Sequence, residues 1–295
     1  MVIIMSMESN TKKESSKFID SNLMEGMVSV RAVLDGMAAK TSDRRIIEIF
    51  LSEERVHKME REYAWLCHRG EEYGFPVTLC PPAEIDARCI GNTHGGIAAQ
   101  CTARTIPPLS AAAVSAANAA SNAAETKTAE NTEQTAKNPF SENGFYVMIE
   151  GIEDPYNFGY AMRSLYAAGV DGVILPPRNW MSAAGVVCRA SAGASERFSM
   201  WCAESSMDAV HIFRRLGYQI VCADMEHSVS MYDADLRRPL LLIVGGEKRG
   251  ISRAVLDLAD TVVRLDYGRP FEGALSAASA ASILAFEVYR QNRGR

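Results

Sequence analysis

From residue 145 onward, short apolar runs alternate with helical patterns, and this alternation restricts the possible folds more than any other feature of the chain. "FYVMIE", "GVIL", "FSMW", "QIVCAD", "LLLIVGG" and "VVRL" read as strands. Between and after them lie predicted helices beginning near Asn157 and covering about 183–190, 207–216, 252–258 and 275–291. Such an order predicts an α/β fold with a mostly parallel sheet and helices on both faces. Ligands of sheets of this kind sit at the carboxyl ends of the strands, so the loops that follow strands are where function is to be sought.

Three of these loops have unusual composition. The first, "DPYNFGYAMR" at 154–163, reads as a turn closing on a cap at Asn157, followed by a helix with Ala161, Leu165 and Ala168 on one stripe and a lone Arg163. Gly159 falls in the first turn of that helix, where glycine costs about 1 kcal/mol relative to alanine, so something is expected to approach its backbone closely. The second loop, "IVGGEKRGIS" at 243–252, runs from a buried strand into Gly245-Gly246-Glu247 and then Gly250. Two readings remain open for it. It could cradle a phosphate, although its spacing matches neither phosphate-binding fingerprint and Glu247 would repel the anion, or it could be a tight turn with solvated charges. The third loop, "LDYGRPFEGALSAASAASI" at 265–283, leads into a helix rich in small residues. There Ala274, Ala277, Ala278 and Ala281 would permit close approach of a second subunit.

Upstream, residues 1–20 are polar and aperiodic and read as a disordered tail. Residues 21–106 read as a small α/β domain. Val28, Val30, Val33, Leu34 and Met37 mark a helix, 46–51 a strand, 56–73 a long charged helix, "FPVTLC" a strand, "PPAEID" a helix start and 97–101 a last strand. Residues 107–143 are low in complexity, dominated by Ala, Ser, Asn and Thr, and are expected to link this domain to a second one at 144–295. A chain of 295 residues with 47% hydrophobic residues can bury two such cores.

Composition narrows the function classes. Seven irregularly spaced cysteines without a C-x-x-C pair argue for reduced thiols in the cytoplasm rather than a disulfide framework or a zinc site. His94, His211 and His227 lack metal-ligand spacing, so no metal is expected. No apolar run approaches the length of a membrane span, and no membrane association is expected. The net charge of −5 does not favour a nucleic-acid partner, but from Gly144 onward basic and acidic residues nearly balance and Lys248 is the one lysine. Arginine is the better fork for phosphate and the better stacking partner for bases. The Arg214-Arg215 and Arg237-Arg238 pairs read as a solvated face, with contact to RNA as the alternative, and the small residues of "SAGAS" at 191–195 as a place where helices pack closely.

Asp-Pro-x-Asn-x-Gly-x-x-x-Arg from Asp154, Gly-x-Glu-x-x-Gly from Gly245 and Ala274-Leu275-Ser276 together resemble, in order and spacing, the three motifs of the SpoU/TrmH family of RNA ribose methyltransferases. The resemblance covers 144–295, and "EGMVSVRAVLDG" and "HGGIAAQ" are similar to the opening and close of the substrate-binding domain that often precedes it. It implies a trefoil-knotted C-terminal domain, an exception to the rule that chains do not thread, preceded by a ribosomal-protein-like α/β domain. It also implies S-adenosylmethionine as cofactor, structured ribosomal or transfer RNA as substrate, and a site completed by homodimerisation. Carried over by residue, Gly245, Gly246, Leu265, Ala274 and Leu275 would contact the cofactor. Asn157 would shape the first loop, Arg163 act on the ribose, Glu247 brace the site across the dimer, and Ser276 complete the third motif.

Arginine is effectively always protonated, so Arg163 suits orientation of a 2′-hydroxyl and stabilisation of alkoxide charge better than proton abstraction. A purely structural alternative pairs it with Glu150 or Glu153. The third motif departs from the family's usual Ser-Leu-Asn, and residues 266–270 depart beside it; serine offers one rotating hydroxyl where asparagine fixes a donor and an acceptor. A catalytically weak knotted relative that binds RNA or a protein partner is therefore the alternative function.

Overall fold

The computed structural model describes residues 22–113, 139–152, 154–177, 180–246 and 248–294. The tail expected over 1–20 and most of the expected linker lie outside them. The described chain forms two compact units: one from the residues up to Thr105 with Asp154–Arg163 and Trp180–Arg197, the other from the remainder.

The sheet of the first unit contains β1 (Leu23–Glu25), β2 (Ile46–Ser52), β3 (Val77–Cys80) and β4 (Ile97–Cys101) in the order β1-β4-β2-β3. β4 is antiparallel to both neighbours, and β3 runs parallel to β2. The helix Gly26–Ala39 buries Val30, Val33, Leu34 and Met37 against Ile49, Leu51, Leu66 and Ile97, as its apolar spacing requires. The long helix read over 56–73 is interrupted. Residues Glu53–Lys58 form a 3₁₀ helix closed by the Met59 N–H on the Val56 carbonyl, Met59 leaves helical geometry at φ −130°, and an α-helix resumes over Glu60–Tyr73. Gly74 ends it in the left-handed region, donating to the Gly70 carbonyl.

The second unit holds a seven-stranded sheet of β5 (Phe145–Ile149), β6 (Gly172–Leu175), β7 (Ser199–Cys202), β8 (Gln219–Ala223), β9 (Val229–Ser230), β10 (Leu240–Val244) and β11 (Thr261–Arg264). Its order is β7-β6-β5-β10-β8-β11-β9, and every pair is parallel. β5 and β10 are buried at every residue, which is why both read as unbroken apolar runs. Phe140, Tyr146, Trp201, Phe213 and Tyr218 stack edge to face or tilted at 5.0–6.0 Å on one face of this sheet. Packed structure begins earlier than the linker reading placed it: the Pro107 carbonyl accepts from Cys202 N–H at 2.9 Å, and Leu109 is buried in the same cluster. Among the described residues no helix is long and apolar enough to cross a membrane.

Within the first unit, the short helices Ala184–Ala190 and Ala194–Arg197 lie against Gly26–Ala39. The "SAGAS" stretch permits this: Gly193 has φ +81°, and a side chain there would overlap the Cβ of Ala32. A Cβ on Gly36 would fall 2.6 Å from the Glu196 carbonyl oxygen. Polar anchors reinforce the packing. Glu196 is fully buried and accepts from Arg44 Nε at 2.9 Å, while Arg44 Nη1 also donates to Asn22 Oδ1 and the Thr102 carbonyl. Arg104 donates to the carbonyls of Ser195 and Thr41. Removing one member of a buried pair strands the other charge, so Glu196→Ala should lose about 3–5 kcal/mol of stability, whereas Arg44→Met with Glu196→Leu should lose less than either single change. Urea denaturation of Glu196→Ala, of Arg44→Met and Glu196→Leu singly, and of their combination checks this.

Candidate functional site

In the second unit a pocket of about 780 Å³ opens at the carboxyl ends of β8, β10 and β11. Parallel strands bring three loop starts to one edge, and β10 contributes Gly245, Gly246 and Gly250. These glycines answer to backbone packing. A Cβ on Gly245 would lie 2.7 Å from Gly250, and one on Gly246 would collide with the carbonyls of Glu150 and Gly151. Gly250, at φ +60°, donates to the Gly246 carbonyl and folds the loop on itself. Packed this closely against backbone, the loop forms a tight turn, as the second of the two readings expects.

Leu265, Tyr267, Ala274, Leu275 and Ser276 supply the third side of the pocket, with Leu284 behind them. The Tyr267 hydroxyl accepts from the Leu275 N–H at 3.3 Å, and its ring meets Phe271 edge-on at 5.7 Å. Ser276 caps the closing helix Ala277–Asn292, its Oγ accepting from Ser279 N–H at 3.2 Å and lying 3.0 Å from Ser279 Oγ. The helix therefore starts later than the pattern suggested. Its alanines also face the other way from expectation: Ala277, Ala278 and Ala281 are buried within the chain, and the exposed apolar side carries Ile283, Phe286 and Tyr289.

The first loop belongs to the other unit. Its cap is Asp154, not Asn157: Asp154 Oδ2 accepts from the Asn157 N–H at 3.1 Å, and Pro155 takes the first helical position of Pro155–Ala167. What approaches Gly159 is the helix Ala184–Ala190, since a Cβ there would lie 2.5 Å from that of Ala190. Arg163 is exposed and, among the described residues, makes no hydrogen bond or ion pair. Glu150, offered as its partner, instead accepts from the Ser206 hydroxyl, and Glu153 lies outside the described residues. Glu247 lies outside them too. The pocket thus gathers Gly245, Gly246, Leu265, Ala274, Leu275 and Ser276, while Asn157 and Arg163 stand on a helix that begins in the first unit.

Sequence reasoning overlooked three residues that line the pocket, Asp224, Met225 and Glu226, because the loop after β8 contains no glycine to mark it. Asp224 Oδ1 accepts from Glu226 N–H at 2.9 Å, turning that loop. Glu150, read from the sequence only as a possible partner of Arg163, has its carboxyl pushed above the ordinary carboxylate range by burial. His94 is structural, its Nδ1 accepting from Gly96 N–H and its Nε2 lying 3.0 Å from Asp86. No metal-competent cluster of His, Cys, Asp or Glu occurs among the described residues.

Residues 144–286 match the model of the SpoU rRNA Methylase family, from the residue before β5 into the closing helix. This segment belongs to the SpoU family. It is 32% identical over 148 residues to a putative TrmH family tRNA/rRNA methyltransferase of Staphylococcus haemolyticus, a match that covers 49% of this chain and 58% of that relative. This chain therefore spans little more than half the length of that relative. The 23S rRNA (guanosine-2′-O-)-methyltransferase RlmB of Shewanella oneidensis is 26% identical over 277 residues, 92% of this chain and 98% of its own. The SpoU methyltransferase AviRb of Streptomyces viridochromogenes, solved in complex with AdoMet, superposes with a TM-score of 0.66 at 19% identity over 94% of this chain and 96% of that one, so the α/β fold is shared.

All three loops fall within the SpoU segment, and Ser276 caps the closing helix inside it. Asparagine caps helices as well as serine does, and alanine does not. Ser276→Ala should lower stability by about 1 kcal/mol and Ser276→Asn by only a few tenths, ~0.3 kcal/mol, measured by chemical denaturation.

Proposed function

We propose that the chain is an S-adenosylmethionine-dependent methyltransferase acting on a ribose 2′-hydroxyl in ribosomal or transfer RNA. The observation that carries this reading is the convergence of the β8, β10 and β11 loops of a SpoU-family segment on one pocket of about 780 Å³. That pocket fits a nucleoside-bearing sulfonium in both size and chemistry. Leu265, Leu275 and Leu284 offer apolar surface, and Asp224 and Glu226 offer carboxylates that can accept from ribose hydroxyls and offset a positive charge. Gly245, Gly246 and Ala274 add small residues to its lining.

Bound S-adenosylmethionine supplies a methyl group whose sulfonium leaves as a neutral thioether. The chain's own task is to make a ribose oxygen nucleophilic. Arg163, a permanent cation with no partner among the described residues, orients the 2′-hydroxyl and stabilises charge on its oxygen, and the proton passes to an RNA phosphate oxygen. Asn157 shapes the first loop, and Glu247 braces the site from a second subunit.

The same reading includes a trefoil knot made by the 245–250 and 265–276 loops, supported by the strand order in which β11 lies beyond β8. It includes a ribosomal-protein-like RNA-binding domain over 21–106 and a catalytic domain over 144–295. A homodimer through the C-terminal domain is supported by Ile283, Phe286 and Tyr289, exposed at 40%, 47% and 47% along one side of the closing helix. Seven unpaired cysteines fit a cytoplasmic setting. One observation favours the second reading, a weakly catalytic RNA-binding relative: the Ser276 hydroxyl is committed to the helix cap.

Transfer of labelled methyl to total RNA, followed by nucleoside digestion, should yield a 2′-O-methyl nucleoside; a base-methylated product, or none while RNA still binds, contradicts the first reading. Arg163→Ala should lower the rate by about 10²-fold while cofactor affinity, read by titration calorimetry, stays within about twofold.

A further inference from the structure

Arg189 lies at the end of the helix Ala184–Ala190 and joins two elements far apart in sequence. Its Nη1 donates to Glu25 Oε2 at 2.5 Å, and its Nη2 donates to the Tyr156 hydroxyl at 3.2 Å. Glu25 ends β1, is buried, and is itself fixed by the backbone N–H groups of Ile90 and Gly91. Gly91 carries no side chain because a Cβ there would overlap the Arg189 guanidinium. Tyr156 lies in the first turn of Pro155–Ala167, seven residues before Arg163. Seven residues are close to two turns, so the two side chains leave the same face of the helix about 10 Å apart. All of these residues but Arg163 belong to the network, and Arg163 shares their unit.

We propose that Arg189 is a positioning residue for methyl transfer. By bridging Glu25 and Tyr156 it fastens the start of the helix that carries Arg163 to the sheet of the N-terminal domain. RNA held by that domain is thereby held in fixed register to Arg163. The role in transfer rests on the methyltransferase reading above; the tie itself does not. The planar guanidinium is what allows one side chain to serve two acceptors at once, and a lysine ammonium of shorter reach keeps the pairing with Glu25 but gives up Tyr156.

Hydrogen exchange of the full-length protein tests the tie without reference to activity. Tyr156→Phe and Arg189→Lys should each speed exchange of the amides at 157–163 by about fivefold, the scale for one hydrogen bond of ordinary strength, and the double variant should show no more than either alone. Both should lower kcat for RNA by about tenfold and leave cofactor affinity unchanged, a split that general destabilisation would not produce. Unchanged exchange at 157–163, or additive effects in the double variant, overturns the proposal. A wild type that methylates no RNA removes the methyltransferase reading and the role of Arg189 in transfer, while the exchange arm still decides the tie.

Discussion

Gly246 lacks a side chain because the carbonyl oxygens of Glu150 and Gly151 stand where its Cβ would be. This contact holds the ends of two adjacent parallel strands, β5 and β10, together at the edge where the loops emerge. Any larger residue would part them, and the loop from β10 would no longer fold back through Gly250 toward the loops after β8 and β11. The pocket is thus a consequence of backbone proximity first and of side-chain chemistry second. The apolar, fully buried β5 and β10 supply the rigid base, and the loops add the carboxylates and small residues that give the pocket its character.

The residues that hold the molecule's first unit together are of a different kind. There, arginines with carboxylate or carbonyl acceptors link residues 25–104 to Trp180–Arg197: Arg44 to Glu196, Arg104 to Ser195, Arg189 to Glu25 and Arg197 to Asp35. Such pairs are specific in geometry and weak in net energy when exposed, but costly to break when buried. Apolar packing of Ala184 and Cys188 into the domain core supplies the stabilisation, and the arginines fix the arrangement. Asp154–Arg163 belongs to this unit, so the first motif is organised by different neighbours from the second and third.

Legibility in the sequence followed the physics of each element. Fully buried parallel strands produce continuous apolar runs, and β5, β6 and β10 stood out for that reason. β1 and β9 were invisible, having three and two residues and no room for a periodic signal. Gly245 and Gly246 were found because glycine after a strand is conspicuous, while Asp224 and Glu226 were missed because ordinary residues in a loop are not. The alanine stripe of the closing helix was legible as close packing but not in direction: periodicity shows that one side is small and cannot say which neighbour it meets. Asn157 and Asp154 are both good caps, and only coordinates show which oxygen receives the N–H. Nor does the sequence show that Tyr267 receives the Leu275 N–H and Ser276 the Ser279 N–H, contacts that tie this loop to the start of the closing helix.

The central claim is that the pocket at the ends of β8, β10 and β11 is the cofactor site. Amide hydrogen exchange of the full-length protein with and without S-adenosylmethionine tests it most directly. The account predicts protection concentrated at 224–226, 244–251 and 264–277, with the N-terminal sheet unaffected. Protection confined to other segments, or none at saturating cofactor, would contradict it.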